Sequence, residues 1–474
     1  MNTKPEIMIT AFLIAGATYL ALLVFLSAKA RSRNKDSGQY LMAGSNIGAV
    51  LGMFTFAATL FSTFTILGMP DFFRTHGVGS WIFLAVSDGV MVFGIIWVGY
   101  YFRKKARSGN YFGMAGFMEQ QFQSRFAGYV TFFGAFVFLI PYVAIQIRGV
   151  AIFFQEVFPG MLPVWGWSSA MVLVMLIYSE VGGLKAIIYS DMMQGILLLI
   201  AIWIIGAVCV SEVGGLETMF ARVEESNPAL LSAPGPKGLF DFQFLFGSMI
   251  AIMLLPFTQP QISTRIVIMR DRFSLYRMAV GIGFFIILVI LPTAFMGMYG
   301  AILYPDAATS EFLGAVLVRD QPKIVAAFAM IGLLAAALST ADSQIFGLGS
   351  EIRSLMKGED AKMVRTARIS IGVFAVLALI FAVLTTDQLV LLARTSFAGT
   401  SLMAPMIFTG IFSSNAPKAR LLLPATGIAL LVFISSQMGW IPNMVFHFRL
   451  DLTLIGLLTL LAAGIQLFNQ TKQS

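Results

Sequence analysis

Apolar runs of roughly 20 residues recur along the whole chain, separated by short polar loops, and no other feature constrains the fold as strongly. A helix rising about 1.5 Å per residue needs about 20 such residues to cross the roughly 30 Å of hydrocarbon in a bilayer. Hydrophobic residues make up 58% of the 474, charged residues 11%, and the mean hydropathy is +0.85. A soluble domain carries about 25% charged residues. The chain reads as an all-α polytopic membrane protein, a single membrane domain over 1–474.

The pattern predicts about thirteen transmembrane helices, near 7–28, 46–70, 78–102, 127–157, 163–180, 187–211, 239–268, 274–303, 324–350, 366–385, 388–412, 419–437 and 449–468. Alternate loops then separate in charge. One set carries Lys29, Arg31, Arg33 and Lys35, then Arg103 to Arg107 with Arg125, then Arg270, Arg272 and Arg277, and later Arg353 to Arg368, Lys418 and Arg420. Basic loops stay in the cytoplasm, which places the N-terminus outside and the C-terminus inside a cell membrane.

Several function classes drop out. One cysteine excludes an internal disulfide framework or a Cys-rich metal site. His76 and His447 are too far apart for a local metal motif, and no Walker A loop is present. The net charge of +8 belongs to short membrane loops and does not imply nucleic acid. Ala28-Lys29-Ala30 resembles a signal-peptidase site, but the charges follow the apolar run, so the first helix is read as retained. No appended output module and no nucleophile–base constellation is visible, which argues against a sensor kinase and against an enzyme.

Polar residues inside the spans carry the chemistry. In 324–350, Ala336, Ser339, Thr340 and Ser343 fall at i, i+3, i+4 and i+7, one helix face, with Asp342 on the adjoining strip. Hydroxyls and small residues at such positions suit a dehydrated cation; they also suit tight helix packing. A membrane carboxylate such as Asp342 favours the first reading. The segment 55–65 holds Thr55, Ala58, Thr59, Phe61, Ser62, Thr63, Phe64 and Thr65, and the same two readings apply. Pro256 and Pro260 predict a broken helix in 239–268, and paired interruptions in corresponding helices point to a substrate site. Arg265 lies near a cytoplasmic helix end and is read as snorkelling. Arg148, beside Gln146, faces either a solute or a structural carboxylate, and Arg394 is a further candidate. Asp191 is read as a helix-end cap or as a functional acid.

Four elements resemble the sodium/solute symporter family, which includes sodium–glucose, sodium–proline and sodium–sialic acid cotransporters. Gly182 to Gln194, with Gly182-Gly183-Leu184, Ala186, Asp191 and Gln194, is similar to a family signature; Gln259-Pro260-Gln261-Ile262 with Arg265 is similar to another. Ala336 to Ser343 resembles the sodium-binding helix, and Phe61 to Pro70 the first core helix. The resemblance implies a LeuT-type core of two inverted five-helix repeats over about 46–412, with a leading helix at 7–28 and two trailing helices over 419–468.

It further implies a first sodium site at Ala58, Phe61, Ala336, Ser339 and Thr340, and a second set at Asp191, Ser339, Asp342 and Ser343. At Asp342 the chain departs from the hydroxyl usual in the family. Family solutes contact positions that correspond here to Phe64, Thr65, Gln146, Arg148, Phe257, Gln259 and Arg394. The expected function is sodium-coupled import of a small organic solute, a carboxylate or amino-acid-like anion or zwitterion. Sodium is co-transported, no organic cofactor is needed, and the lipid bilayer is the surroundings. A sodium-coupled sugar or sialic acid symporter and a membrane sensor on the same fold stay as alternatives, and the oligomeric state is left open.

Overall fold

The computed structural model describes residues 42–471 except 110, 180–183, 357–359, 386, 414 and 415, together with scattered residues between 14 and 25. Most of the expected 7–28 helix, the Ala28-Lys29-Ala30 segment, and Gly182 and Gly183 of the signature lie outside the described residues.

The helices that matter for the site are α1 (Ala49–Leu60), α2 (Phe64–His76), α3 (Ile82–Ser108), α4 (Arg125–Val157), α5 (Val164–Ser179), α6 (Leu184–Glu212), α7 (Phe242–Thr258), α8 (Pro260–Val267) and α9 (Arg272–Leu303). After them come α10 (Lys323–Leu355), α11 (Asp360–Leu384), α12 (Leu389–Ser401), α13 (Ala404–Phe412), α14 (Leu422–Gln437) and α15 (Leu450–Thr471). Their starts follow local chemistry. Asp241 accepts from the Phe244 amide at 2.7 Å, and Asp271 accepts from the Ser274 amide at 2.8 Å, which satisfies first-turn donors of α7 and α9.

Among the described residues, six helices are long and apolar enough to cross a membrane, and three bent pairs raise the number to nine. Val164–Leu176, Ile369–Leu384 and Leu422–Gln437 are shorter apolar helices that overlap the expected spans at 163–180, 366–385 and 419–437. The count of about thirteen is therefore not reached by length alone.

The bends have identifiable causes. α7 turns by 59° into α8, where Gln259 is extended (φ −106°, ψ 121°) and Pro260 opens the next helix. α1 turns by 62° into α2 across an extended Phe61 (φ −87°, ψ 121°), without proline. A third bend, 43° between α12 and α13, is set beside Pro405. The expected spans at 46–70 and 388–412 are thus each two helices. α1 packs on α6, α9 and α10, α4 packs on α10, α11 and α12, and α7 packs on α3 and α12. The first break is therefore enclosed on several sides.

A candidate ion and solute site at the helix breaks

Where α1 ends, its backbone ladder closes with the Phe61 amide donating to the Ala57 carbonyl at 2.7 Å. The next amide, of Ser62, turns to the Thr65 hydroxyl at 3.1 Å, so the Ala58 carbonyl is released from the helix. α10 meets it there. Thr340 Oγ1 lies 3.2 Å and Ser339 Oγ 3.0 Å from the Ala58 carbonyl oxygen, and Ser339 Oγ is 3.1 Å from that of Ala336. Phe61 is the extended residue at the break itself. Ala58, Phe61, Ala336, Ser339 and Thr340 are all buried. The result is a buried cluster of neutral oxygens joining α1 to α10 across more than 270 residues of sequence.

Other polar groups hold the break open. Gln146 on α4 accepts from the Thr63 amide at 3.1 Å and donates to Ser62 Oγ at 3.2 Å. Ser62 Oγ also accepts from the Phe64 amide, and the Tyr142 hydroxyl donates to the Leu60 carbonyl at 2.8 Å. Gly149 permits the approach, because a Cβ there would fall 2.2 Å from Thr63 Cγ2. At the second break Gln261 donates to Gln259 Oε1 at 2.7 Å, and Gln259 reaches Ser396 at 3.5 Å. Thr65, Gln146 and Gln259, expected to contact solute, thus brace the breaks. Phe257 packs against Phe408 and Phe102.

Deeper along α10 the chemistry changes. Arg265 does not reach the surface as a snorkelling side chain would; its side chain is 0% exposed, as is that of Asp191, with Nη2 3.3 Å from Asp191 Oδ2. The same nitrogen donates to Ser343 Oγ at 2.7 Å, and Nη1 donates to the Gln261 carbonyl at 3.0 Å. Thr55 donates to Asp191 Oδ2 at 2.6 Å, and Thr59 Oγ1 lies 3.1 Å from Ser343 Oγ. Asp191 is well inside α6 and caps no helix end. Asp342 is buried within electrostatic range of Asp191, and its Oδ1 has no hydrogen-bond partner among the described residues. Two members of the expected second set therefore share a guanidinium already present in the fold. Buried charge is costly unless paired, which is why Arg265 and Asp191 meet.

The two other candidate arginines are also paired. Arg148 forms an ion pair with Asp387 at 2.8 Å. Arg394 pairs with Asp451 at 2.8 Å, contacts Ser248 and lies 4.9 Å over the Phe244 ring. Phe64 faces a narrow cleft beside the first break, together with Phe61, Phe83, Asp88 and Phe397. Sequence reasoning marked Thr55 only as part of the hydroxyl-rich 55–65 segment and missed Tyr142 and Asp88; for Asp88 a signal existed, a carboxylate in the apolar run of α3.

The sequence model of the Sodium:solute symporter family matches residues 40–419. The sodium/pantothenate symporter of Haemophilus influenzae is 23% identical over 316 residues, 65% of this chain and 63% of that one, so the aligned stretch spans just under two thirds of the relative. The sodium/proline symporter of Escherichia coli is 21% identical over 467 residues, 92% of this chain and 91% of that one. Among solved structures, a Na+-coupled sialic acid symporter in a substrate-bound outward-open state matches with a TM-score of 0.78 and 16% identity, over 95% of this chain and 96% of the other. That likeness shows the fold. Together with its apolar helices, these matches make the protein an integral membrane transporter and not an enzyme. The chain belongs to the sodium:solute symporter family.

Proposed function

We propose that the protein imports a small organic solute together with sodium, by alternating access around the first helix break. Sodium enters the neutral oxygen cluster, with ligands from the Ala58, Phe61 and Ala336 carbonyls and the Ser339 and Thr340 hydroxyls. The observation that carries this reading is the convergence of both α10 hydroxyls on the freed Ala58 carbonyl. Without an ion the hydroxyl hydrogens point at the carbonyl; with one, they rotate away and present lone pairs.

An ion there links α1 to α10 and holds the cleft ready for solute. Coupling is reciprocal: whatever factor sodium adds to solute affinity, solute adds to sodium affinity. With the N-terminus outside and the C-terminus in the cytoplasm, inward sodium movement gains about 2.3 kcal/mol per charge per 100 mV. The solute is of the carboxylate or amino-acid-like class; the relatives are named for proline, pantothenate and sialic acid, each of which bears a carboxylate.

Replacing both Ser339 and Thr340 by alanine removes two ligands while leaving α10 helical. Uptake into proteoliposomes under a sodium gradient should lose its sodium stimulation, with insertion unchanged. Sodium-stimulated uptake at the wild-type level in that variant would overturn the assignment.

A further inference from the structure

Asp88 on α3 is a buried carboxylate with no cationic partner among the described residues. It is 7% exposed and lines the cleft beside the first break, yet makes no hydrogen bond or ion pair with any described residue. Every other carboxylate discussed above has found a partner: Asp191 has Arg265 and Thr55, Asp387 has Arg148, Asp451 has Arg394, and Asp342 alone shares the shortage. Asp342 lies on α10 within reach of the Asp191 charge and does not line the cleft, whereas Asp88 does. The Tyr142 hydroxyl is within electrostatic range of Asp88 but is committed to the Leu60 carbonyl.

The surroundings of Asp88 are aromatic. Phe61 and Phe64 come from the first break, Phe83 from the preceding turn of α3, and Phe397 from α12. Ring faces attract cations, most strongly where water is excluded. A carboxylate among four phenylalanines is matched to an alkylammonium group: charge for the acid, apolar substituents for the rings. The cleft does not suit a sugar, because the amides and hydroxyls nearest the break are spent on bracing it. Nor does it offer a free guanidinium to a simple carboxylate, since Arg148 and Arg394 are both held by acids.

We propose that Asp88 is the specificity-determining residue of the cleft and receives the ammonium group of the solute, so that the transported class is an amine-bearing zwitterion or cation and not a plain carboxylate. The proposal rests on the symporter reading and deepens it. The solute supplies the positive charge that Asp88 lacks, and the carboxylate gives the bound state the partner that the free state is missing.

The test is thermal unfolding of the purified full chain in saturating sodium, with two probe mixtures: the common L-amino acids, and the matching amine-free acids such as propionate, isovalerate and, for proline, cyclopentanecarboxylate. The amino-acid mixture should raise the melting temperature and the deaminated mixture should not. The active component is then titrated against Asp88→Asn, whose affinity should fall at least about tenfold. If Asp88→Asn does not fold, Asp88→Glu and Phe397→Leu replace it: the first keeps the charge and part of the affinity, and the second lowers affinity for the amine without removing charge. Equal or greater stabilisation by the deaminated acids, an unchanged amine affinity in the variants, or no response to either mixture overturns the proposal. The sodium-induced shift without solute, and its loss in the Ser339/Thr340 variant, reports the symporter reading separately.

Discussion

Two oxygen clusters sit on α10 little more than one turn apart, and they differ in where their positive charge comes from. At Ser339 and Thr340 the oxygens that meet are neutral and no cationic side chain bonds to them among the described residues, so a cation there would come from outside. At Ser343 the fold brings its own cation: Arg265 stands between that hydroxyl and Asp191. A transport ion has to bind well enough to enter and weakly enough to leave. Under the proposed function the neutral cluster is the one suited to that requirement, while the acidic one is closed by a guanidinium that does not dissociate. The resemblance implied sodium at both; on the proposed reading only the neutral cluster exchanges an ion, because the other already holds Arg265.

Removing the internal cation tests this difference most severely. Arg265→Gln leaves Asp191 buried without its counter-ion, and stability should fall by about 3–5 kcal/mol. The loss should be read as a lowered melting temperature in sodium-free buffer, and sodium should restore more of it than it adds to the wild type. The added sodium response should survive Ser339→Ala, because it arises at Asp191. Adding Asp191→Asn should remove the response and recover much of the stability. If sodium stabilises Arg265→Gln no more than wild type, the two clusters do not differ in the way described.

A smaller loss is expected from Ser343→Ala. It deletes the 2.7 Å acceptor of Arg265 but leaves the ion pair. Hydrogen bonds to charged groups contribute about 1.5–3 kcal/mol, so the melting temperature falls moderately while sodium-driven uptake keeps its sodium dependence. Thr55→Val should cost less, about 1–2 kcal/mol, because Asp191 keeps Arg265 after the 2.6 Å bond is gone. A loss of sodium stimulation in either variant would merge the clusters into one functional unit.

The sequence made the helices legible because a bilayer imposes a minimum apolar length, and each span expected from 46 onward overlaps an observed helix. The α7–α8 break was legible in Pro256 and Pro260; the one at Phe61 has no proline, and only its hydroxyl-rich composition marked it. The bend before Pro405 carried the same signal and was passed over. Pairings were the part that could not be read. Arg265 and Asp191 are 74 positions apart, Arg394 and Asp451 57, and no local periodicity links residues on different helices. Without the partners, an arginine in a span reads equally as a snorkelling end, a strut or a solute contact.

Asp342 gives the mildest and most discriminating of these changes. It belongs to the acidic cluster by position, yet Arg265 serves Asp191 and Ser343 instead, and Asp342 Oδ1 has no partner among the described residues. An unsatisfied buried oxygen costs about 1–3 kcal/mol, so Asp342→Ser, which restores the hydroxyl usual in the family, should leave stability unchanged or raise it by about 1 kcal/mol. The sodium dependence of uptake should keep its shape if the exchangeable ion sits, as proposed, at Ser339 and Thr340. A variant that loses stability, or whose sodium dependence becomes steeper or shallower, would show that Asp342 holds a cation of its own. The acidic cluster would then be an exchange site as well, and the contrast along α10 would reduce to a difference in affinity.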